Sequence, residues 1–174
     1  MRKELKSFIS LSTMNNVIVI GTTHHNSLGV IRALGERGYS VEFVNFGGRK
    51  RDYVSNSKYI KKVQLLKNIE QVCGYLKHRQ LSDTKEVIIP CADAVTEHLS
   101  LHQDELNDRY LFPGVPQQGR MAGLMDKTTM IEMAAERGIY APPVWILPDD
   151  FDQVTFPCIT KGYMSSHGGG NRIL

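Results

Sequence analysis

The apolar positions of this chain fall into two alternating rhythms: short unbroken runs, and longer stretches with apolar residues three or four apart. Asn16-Val17-Ile18-Val19-Ile20-Gly21 is a continuous β-branched run closed by glycine, the pattern of a parallel strand covered on both faces. After a polar turn, Leu28, Ile31 and Leu34 carry helical spacing, with Gly38 placed to take the left-handed geometry that ends a helix. Val41-Glu42-Phe43-Val44-Asn45 reads as the second strand. Strand, helix and strand within about thirty residues make a βαβ unit, whose crossover is right-handed in nearly all proteins. A short strand is expected over 59–63, a helix over 68–77 through Ile69, Val72, Cys73 and Leu76, and a buried strand over 86–90. Asp93 is expected to cap a helix running to about His102 with Val95, Leu99 and His98 inward, and Tyr110-Leu111-Phe112 reads as one more strand. The alternation predicts an α/β fold over 16–116, a Rossmann-like parallel sheet with helices on both faces.

From Gln117 the pattern turns helical, over 121–125 and then from Asp126 to Gly138. Val144-Trp145-Ile146-Leu147 and Phe156-Pro157-Cys158-Ile159-Thr160-Lys161 read as two strands joined by an acidic turn, before a glycine-rich stretch that should feed a further strand. Residues 117–174 are therefore expected to be a linker helix and the opening of a second unit, and 1–15 a loosely held leader. At 174 residues the chain can bury one full α/β core plus part of another. The net charge of +3, from 21 basic and 18 acidic residues, is too small to argue for nucleic acid, and the cluster Arg49-Lys50-Arg51 reads as a solvated loop. Cys73, Cys91 and Cys158 form no Cys-x-x-Cys pair, which fits a reducing compartment. Neither a signal peptide nor a run of membrane-spanning length is present, so a soluble, cytoplasmic protein without membrane partners is expected.

The turn Gly21-Thr22-Thr23-His24-His25-Asn26-Ser27-Leu28-Gly29 sits where the first strand ends and a helix begins, a place where backbone N–H groups favour an anion. It is not the dinucleotide fingerprint: only Gly21 and Gly29 are present, and the second strand ends in Asn45 instead of an acid that would hold a ribose hydroxyl. Thr22, His24, His25 and Asn26, with Asp93 at the end of another strand, are candidates for lining a substrate crevice. The plainer alternative is that Asn26 or Ser27 caps the helix and both histidines face solvent. His98 and His102 lie one helical turn apart, yet no third ligand accompanies them in the sequence, so no metal site is expected. Lys127 follows Asp126 in the first turn of a helix, where the dipole repels a cation unless an anion offsets it. Lys161 ends an apolar strand before Gly162-Tyr163-Met164-Ser165-Ser166-His167-Gly168-Gly169-Gly170. A point charge on a long stem beside unobstructed backbone donors is a phosphate trap; a snorkelling lysine beside a hairpin is the simpler alternative.

Taken in order, these pieces resemble the ATP-grasp superfamily, particularly its carboxylate-amine ligase and carbamoyl-phosphate-synthase-like members. Gly21 to Gly35 is similar to the opening of the family's leading domain. Phe112-Pro113-Gly114, Met125-Asp126-Lys127 and Gly138-Ile139-Tyr140-Ala141-Pro142-Pro143 resemble its passage into the nucleotide-binding part, and Phe156 to Lys161 the strand carrying a second nucleotide lysine. The resemblance implies that Lys127 and Lys161 contact ATP and that the loop with Ser165, Gly168 and Gly169 closes over its phosphates. It further implies that a small carboxylate is activated as an acyl phosphate, which an amine then attacks. Gly162 and Gly170 depart from the family's usual proline and basic residue. The residues that hold Mg²⁺ are expected beyond Leu174, so no catalytic residue is assigned and the chain alone is expected to be an inactive, truncated ligase. Two other readings stand beside it: a Rossmann-like domain for NAD(P) or a sugar nucleotide, and a non-catalytic interaction module, with homo-oligomer formation open in each.

Overall fold

A computed structural model describes residues 16–49, 52–80, 83–160 and 172–173. Five parallel strands form one sheet in the order β3-β2-β1-β4-β5: β1 (Asn16–Gly21), β2 (Ser40–Phe46), β3 (Ile60–Leu66), β4 (Glu86–Pro90) and β5 (Tyr110–Leu111). The central strand β1 pairs with β2 on one side and β4 on the other, which is why its side chains from Val17 to Gly21 are all buried. The strand order reverses between β1 and β4, so the carboxyl ends of these two strands flank a topological switch point.

Alternate residues of the sheet feed two cores. Val19, Val41 and Phe43 pack with Ile31 of α1 (His25–Glu36) and with Val54, with Leu28 and Leu34 at the margin. Ile18, Ile20, Val44 and Ile88 pack on the opposite face against Val72, Cys73 and Leu76 of α2 (Glu70–His78) and Val95 and Leu99 of α3 (Asp93–Leu101). The short helix α4 (Gln103–Leu106) adds Leu106 to this second core. Helices therefore cover both faces, as the alternation of runs predicts. Gly35 permits a close approach of α1 to the loop after β2, since a Cβ there would stand 2.3 Å from that of Tyr59.

A charged cluster ties the second face together. Arg79, just past α2, donates from Nη1 to Glu42 of β2 at 2.6 Å and from Nη2 to Glu86 of β4 at 3.0 Å. Tyr75 and Lys62 also donate to Glu42. Burial works against the charge on Glu42, but the bonds from Tyr75 and Arg79 outweigh it and hold the carboxyl below its ordinary value. Burial likewise opposes the charge on Arg79, and the two carboxylates reverse that, raising its pKa.

Beyond the sheet, α5 (Arg120–Leu124) packs on α3, where Gly119 N–H donates to the Ser100 carbonyl and Ala122 N–H to the Ser100 hydroxyl. It leads into α6 (Lys127–Glu136), capped by Asp126 through Thr129 N–H at 2.7 Å and closed at Gly138, whose φ is 66°. A two-residue antiparallel pair, β6 (Ile159–Thr160) and β7 (Arg172–Ile173), follows.

Several boundaries differ from those expected. β3 runs to Leu66 because it pairs along β2 as far as Phe46, although Lys61, Lys62 and Gln64 dilute its pattern. Phe112 falls outside β5. Residues 144–147 are no strand: no sheet edge meets them, and Asp150 instead closes a turn, its carboxylate accepting from Ile146 N–H and its own N–H donating to the Ile146 carbonyl. The run from Phe156 contributes only Ile159 and Thr160 to a strand. Helix α3 starts from Ala92 with no side-chain cap, and Asp93 is its first residue, because the Ala92 carbonyl already accepts from Val95 and Thr96 N–H. The leader 1–15, Lys50 and Arg51 lie outside the described residues. No described helix is long and apolar enough to cross a membrane.

Candidate functional site

The switch point between β1 and β4 is held shut at its floor. Cys91 N–H continues the ladder to the Ile20 carbonyl at 2.8 Å, and a Cβ on Gly21 would stand 2.5 Å from Ser27 Oγ and 3.0 Å from Cys91 Cβ. Glycine is required there to let the turn fold back over the strand end. Ser27, fully buried, donates from Oγ to the Thr22 carbonyl at 2.9 Å and so pins the turn to α1. Burial raises the Cys91 thiol to about 11, so it stays protonated at neutral pH.

Above this floor the predicted crevice residues take distinct positions. His24 is the N-cap of α1, its Nδ1 accepting from Asn26 N–H at 3.2 Å. This corrects the expectation that Asn26 or Ser27 does the capping, and its reason is local: Ser27 is turned inward to Thr22. His25 stacks on His24 with ring centroids 3.7 Å apart, and His24, His25 and Asn26 are exposed while Thr22 is half-buried. Asp93, exposed, opens α3 at the carboxyl end of the neighbouring strand. The five residues thus sit on two adjacent strand-to-helix turns: α1 offers a first turn with no acidic residue, and α3 one that carries a carboxylate.

A polar cluster that sequence reasoning missed closes one flank. Asn45, at the carboxyl end of β2 and completely buried, donates from Nδ2 to Asp52 Oδ2 at 3.0 Å and approaches Thr23 Oγ1 and Ser55 Oγ at 3.4 Å. Asp52 also accepts from Val54 and Ser55 N–H and from Ser55 Oγ. Burial opposes its charge, but these bonds prevail and hold its pKa below the ordinary value. The signal was present as Asp-x-x-Ser after a strand, an Asx-type turn, but its pairing with Asn45 depends on the fold. Because Asn45 faces inward and Asp52 is engaged by the turn, the end of β2 presents no acid suited to a ribose.

Lys127 opens α6, half-buried, tied through α5 to α3. Lys161, Ser165, Gly168 and Gly169 lie outside the described residues, between the paired ends β6 and β7. Among the described residues, one group of three potential ligands converges. Cys73 of α2, His98 of α3 and His102 at the end of α3 have ligand atoms within 4.8 Å of one another. Two histidines in sequence acquire a third neighbour from another helix. A thiol and two imidazoles are not the oxygen set that Mg²⁺ takes.

These features define a doubly wound α/β sheet with polar residues at its switch point, followed by two helices and a short antiparallel strand pair. No protein-family model matches the chain, and comparison with curated proteins finds no match. Solved structures do match. An L-amino acid ligase from Bacillus licheniformis is similar over 87% of this chain and 36% of its own, with a TM-score of 0.64 at 13% identity. The biotin carboxylase domain of 2-oxoglutarate carboxylase from Hydrogenobacter thermophilus, a dimer in complex with MgADP, ADP and bicarbonate, is similar over 91% and 37%, with a TM-score of 0.60 at 18% identity. N5-carboxyaminoimidazole ribonucleotide synthetase from Thermotoga maritima is similar over 92% and 40%, with a TM-score of 0.55 at 16% identity. These neighbours are ATP-grasp enzymes, and the chain has the fold of their amino-terminal part, the fold that the ordered motifs imply. It spans about two fifths of their length.

Proposed function

We propose that this chain is the leading part of an ATP-dependent carboxylate-amine ligase or a related enzyme acting through an acyl phosphate. The observation that carries the reading is how far the structural likeness extends. Coverage of 87% of 174 residues is about 151 residues, whereas 1–116 supplies 116; some 35 matched residues must therefore lie beyond residue 116. A generic dinucleotide-binding sheet has no reason to share that passage. Residues 16–116 act as the leading domain and 117–174 as the opening of the nucleotide-binding part.

In this reading the nucleotide's phosphates lie near Lys127 and Lys161, under the loop of Ser165, Gly168 and Gly169, and a small carboxylate approaches the crevice of Thr22, His24, His25, Asn26 and Asp93. The carboxylate oxygen would take the terminal phosphoryl group as ADP leaves, and an amine would then displace phosphate from the acyl carbon. Lysine charge and backbone N–H groups favour the developing phosphate charge. The chain alone is proposed to bind nucleotide weakly without turnover, in the cytoplasm. The exposed apolar residues Ile139, Tyr140, Phe151 and Phe156 favour a second reading, an interaction module that pairs through this surface.

Calorimetric titration of MgATP, with NADH as comparison, into the chain and into a Lys127→Ala, Lys161→Ala double variant tests the proposal. ATP binding lost in the double variant is expected. Absence of ATP heat at millimolar concentration, or clear NADH binding, would overturn it, and a concentration-dependent mass by sedimentation without ATP binding would favour the interaction module.

A further inference from the structure

We propose that Cys73, His98 and His102 form a binding site for a borderline-soft divalent cation of the Zn²⁺ type, clamping α2 to the end of α3. The site stands apart from the switch-point crevice in its residues and does not depend on the ligase reading. Three observations carry it. The candidate ligand atoms of the three residues lie within 4.8 Å of one another. In a tetrahedral site, Zn–N bonds of about 2.0–2.1 Å and Zn–S bonds of about 2.3 Å set ligand atoms roughly 3.3–3.7 Å apart. Closure by roughly 1.1–1.5 Å therefore suffices, within reach of side-chain rotation at His102, whose side chain is 36% exposed.

The second observation is an orphaned atom. His98 Nε2 is buried and has no hydrogen-bond partner among the described residues. A desolvated ring nitrogen left unpaired is costly, and coordination satisfies it. The third is orientation. His102 Nδ1 lies 3.1 Å from Glu105 Oε1, and Glu105 is itself paired with Lys77. A carboxylate on Nδ1 holds the proton there and leaves the lone pair on Nε2 for a metal. The two rings, one helical turn apart, lie with centroids 4.8 Å apart and planes inclined at 57°, and the separate helix α2 brings the sulfur.

A cation of this type takes cysteine as the thiolate and histidine as the neutral imidazole, so binding at Cys73 displaces one thiol proton. The fourth position goes to water, since no fourth side chain joins the group of three among the described residues. A structural alternative treats Cys73 as a small apolar residue of the core and the histidines as a stacked pair; it predicts no cation affinity.

The test is titration of the full chain with Co²⁺, a spectroscopic substitute for Zn²⁺, followed by displacement with Zn²⁺. One equivalent is expected to bind with intense tetrahedral visible bands and a thiolate-to-cobalt charge-transfer band, all removed by excess Zn²⁺. Affinity should rise with pH, because binding releases a thiol proton. Cys73→Ala should abolish the charge-transfer band. Glu105→Gln should weaken binding by about 10–100-fold through loss of the carboxylate that orients His102. His102→Gln should weaken it further, and because it alters a partly exposed helix end, it separates ligand loss from damage to the core. No saturable binding, binding without the charge-transfer band, or unchanged affinity in His102→Gln would each overturn the site. So would loss of binding in a His24→Gln, His25→Gln variant that retains Cys73, His98 and His102.

Discussion

The sheet with its helices α1 to α4 and the segment from α5 onward differ in how their apolar residues are used. In the first, Phe43, Ile18, Ile20, Leu76 and Leu99 are almost wholly excluded from solvent, and two cores lie on opposite faces of the sheet. In the second, no described residue after Tyr110 is buried, while Tyr140 is 89% and Phe156 68% exposed. Helices α5 and α6 are well formed through caps, a left-handed glycine and contacts to α3, yet they enclose no core of their own. Local signals are enough to shape a helix, but burial of an apolar face is what makes a region cooperative.

The largest effect that would break this contrast is at a matched pair of phenylalanines. Phe43→Ala should cost about 3–5 kcal/mol, the scale for emptying a packed core site, and Phe156→Ala within about 0.5 kcal/mol, as at exposed positions, both read from urea unfolding midpoints. Comparable losses at the two sites would mean that both regions share one core. Next in size, Arg79→Ala should cost about 3 kcal/mol by leaving Glu42 and Glu86 partly buried without their cation. Adding Glu42→Gln to it should recover part of the loss, which a double-mutant cycle measures.

The same cluster sets an acid limit on the sheet region. Glu42 has its folded pKa held below the ordinary carboxyl value of 4.5, so its contribution is complete above that value and fades as pH falls through the folded one. Unfolding midpoints should therefore be flat near neutrality and drop below about pH 4.5, and Glu42→Gln should flatten that drop. The smallest effect sharpens the comparison instead of breaking it. Gly38 and Gly138 both close helices with positive φ, 86° and 66°, so alanine at either should cost about 1 kcal/mol locally. Hydrogen exchange should register Gly38→Ala across the whole sheet and Gly138→Ala only near the end of α6.

Much of the fold was legible because its signals are local. Val17 to Ile20 can only be a strand covered on both faces, and Gly38 and Gly138 announce helix ends by a conformation that other residues resist. The start of α6 at Asp126 was readable for the same reason, since its cap bond reaches only three residues along its own chain. Legibility failed where a partner from elsewhere decides. Val144 to Leu147 has strand composition but no edge to join, whereas β3 is a strand despite its lysines because β2 lies beside it. His24 takes the cap that Asn26 or Ser27 was expected to fill because Ser27 is drawn inward by Thr22.

The candidate sites divide along the same line. The places of Thr22, His24, His25, Asn26 and Asp93 at strand-to-helix turns were legible because a strand end followed by a helix start fixes where a turn lies. The engagement of Asn45 by Asp52 and the meeting of Cys73 with His98 and His102 were not, since those side chains come from separate elements. The sequence by itself determined the order of the five sheet strands and of α1 to α3 between them, and the residues at the strand-to-helix turns, all products of backbone preference and side-chain period. Only the tertiary structure decided which strands pair, which charges are buried together and which thiol meets which imidazole. Those choices arise when distant segments share one low-dielectric interior, where an unpaired group is costly and a paired one is held in place.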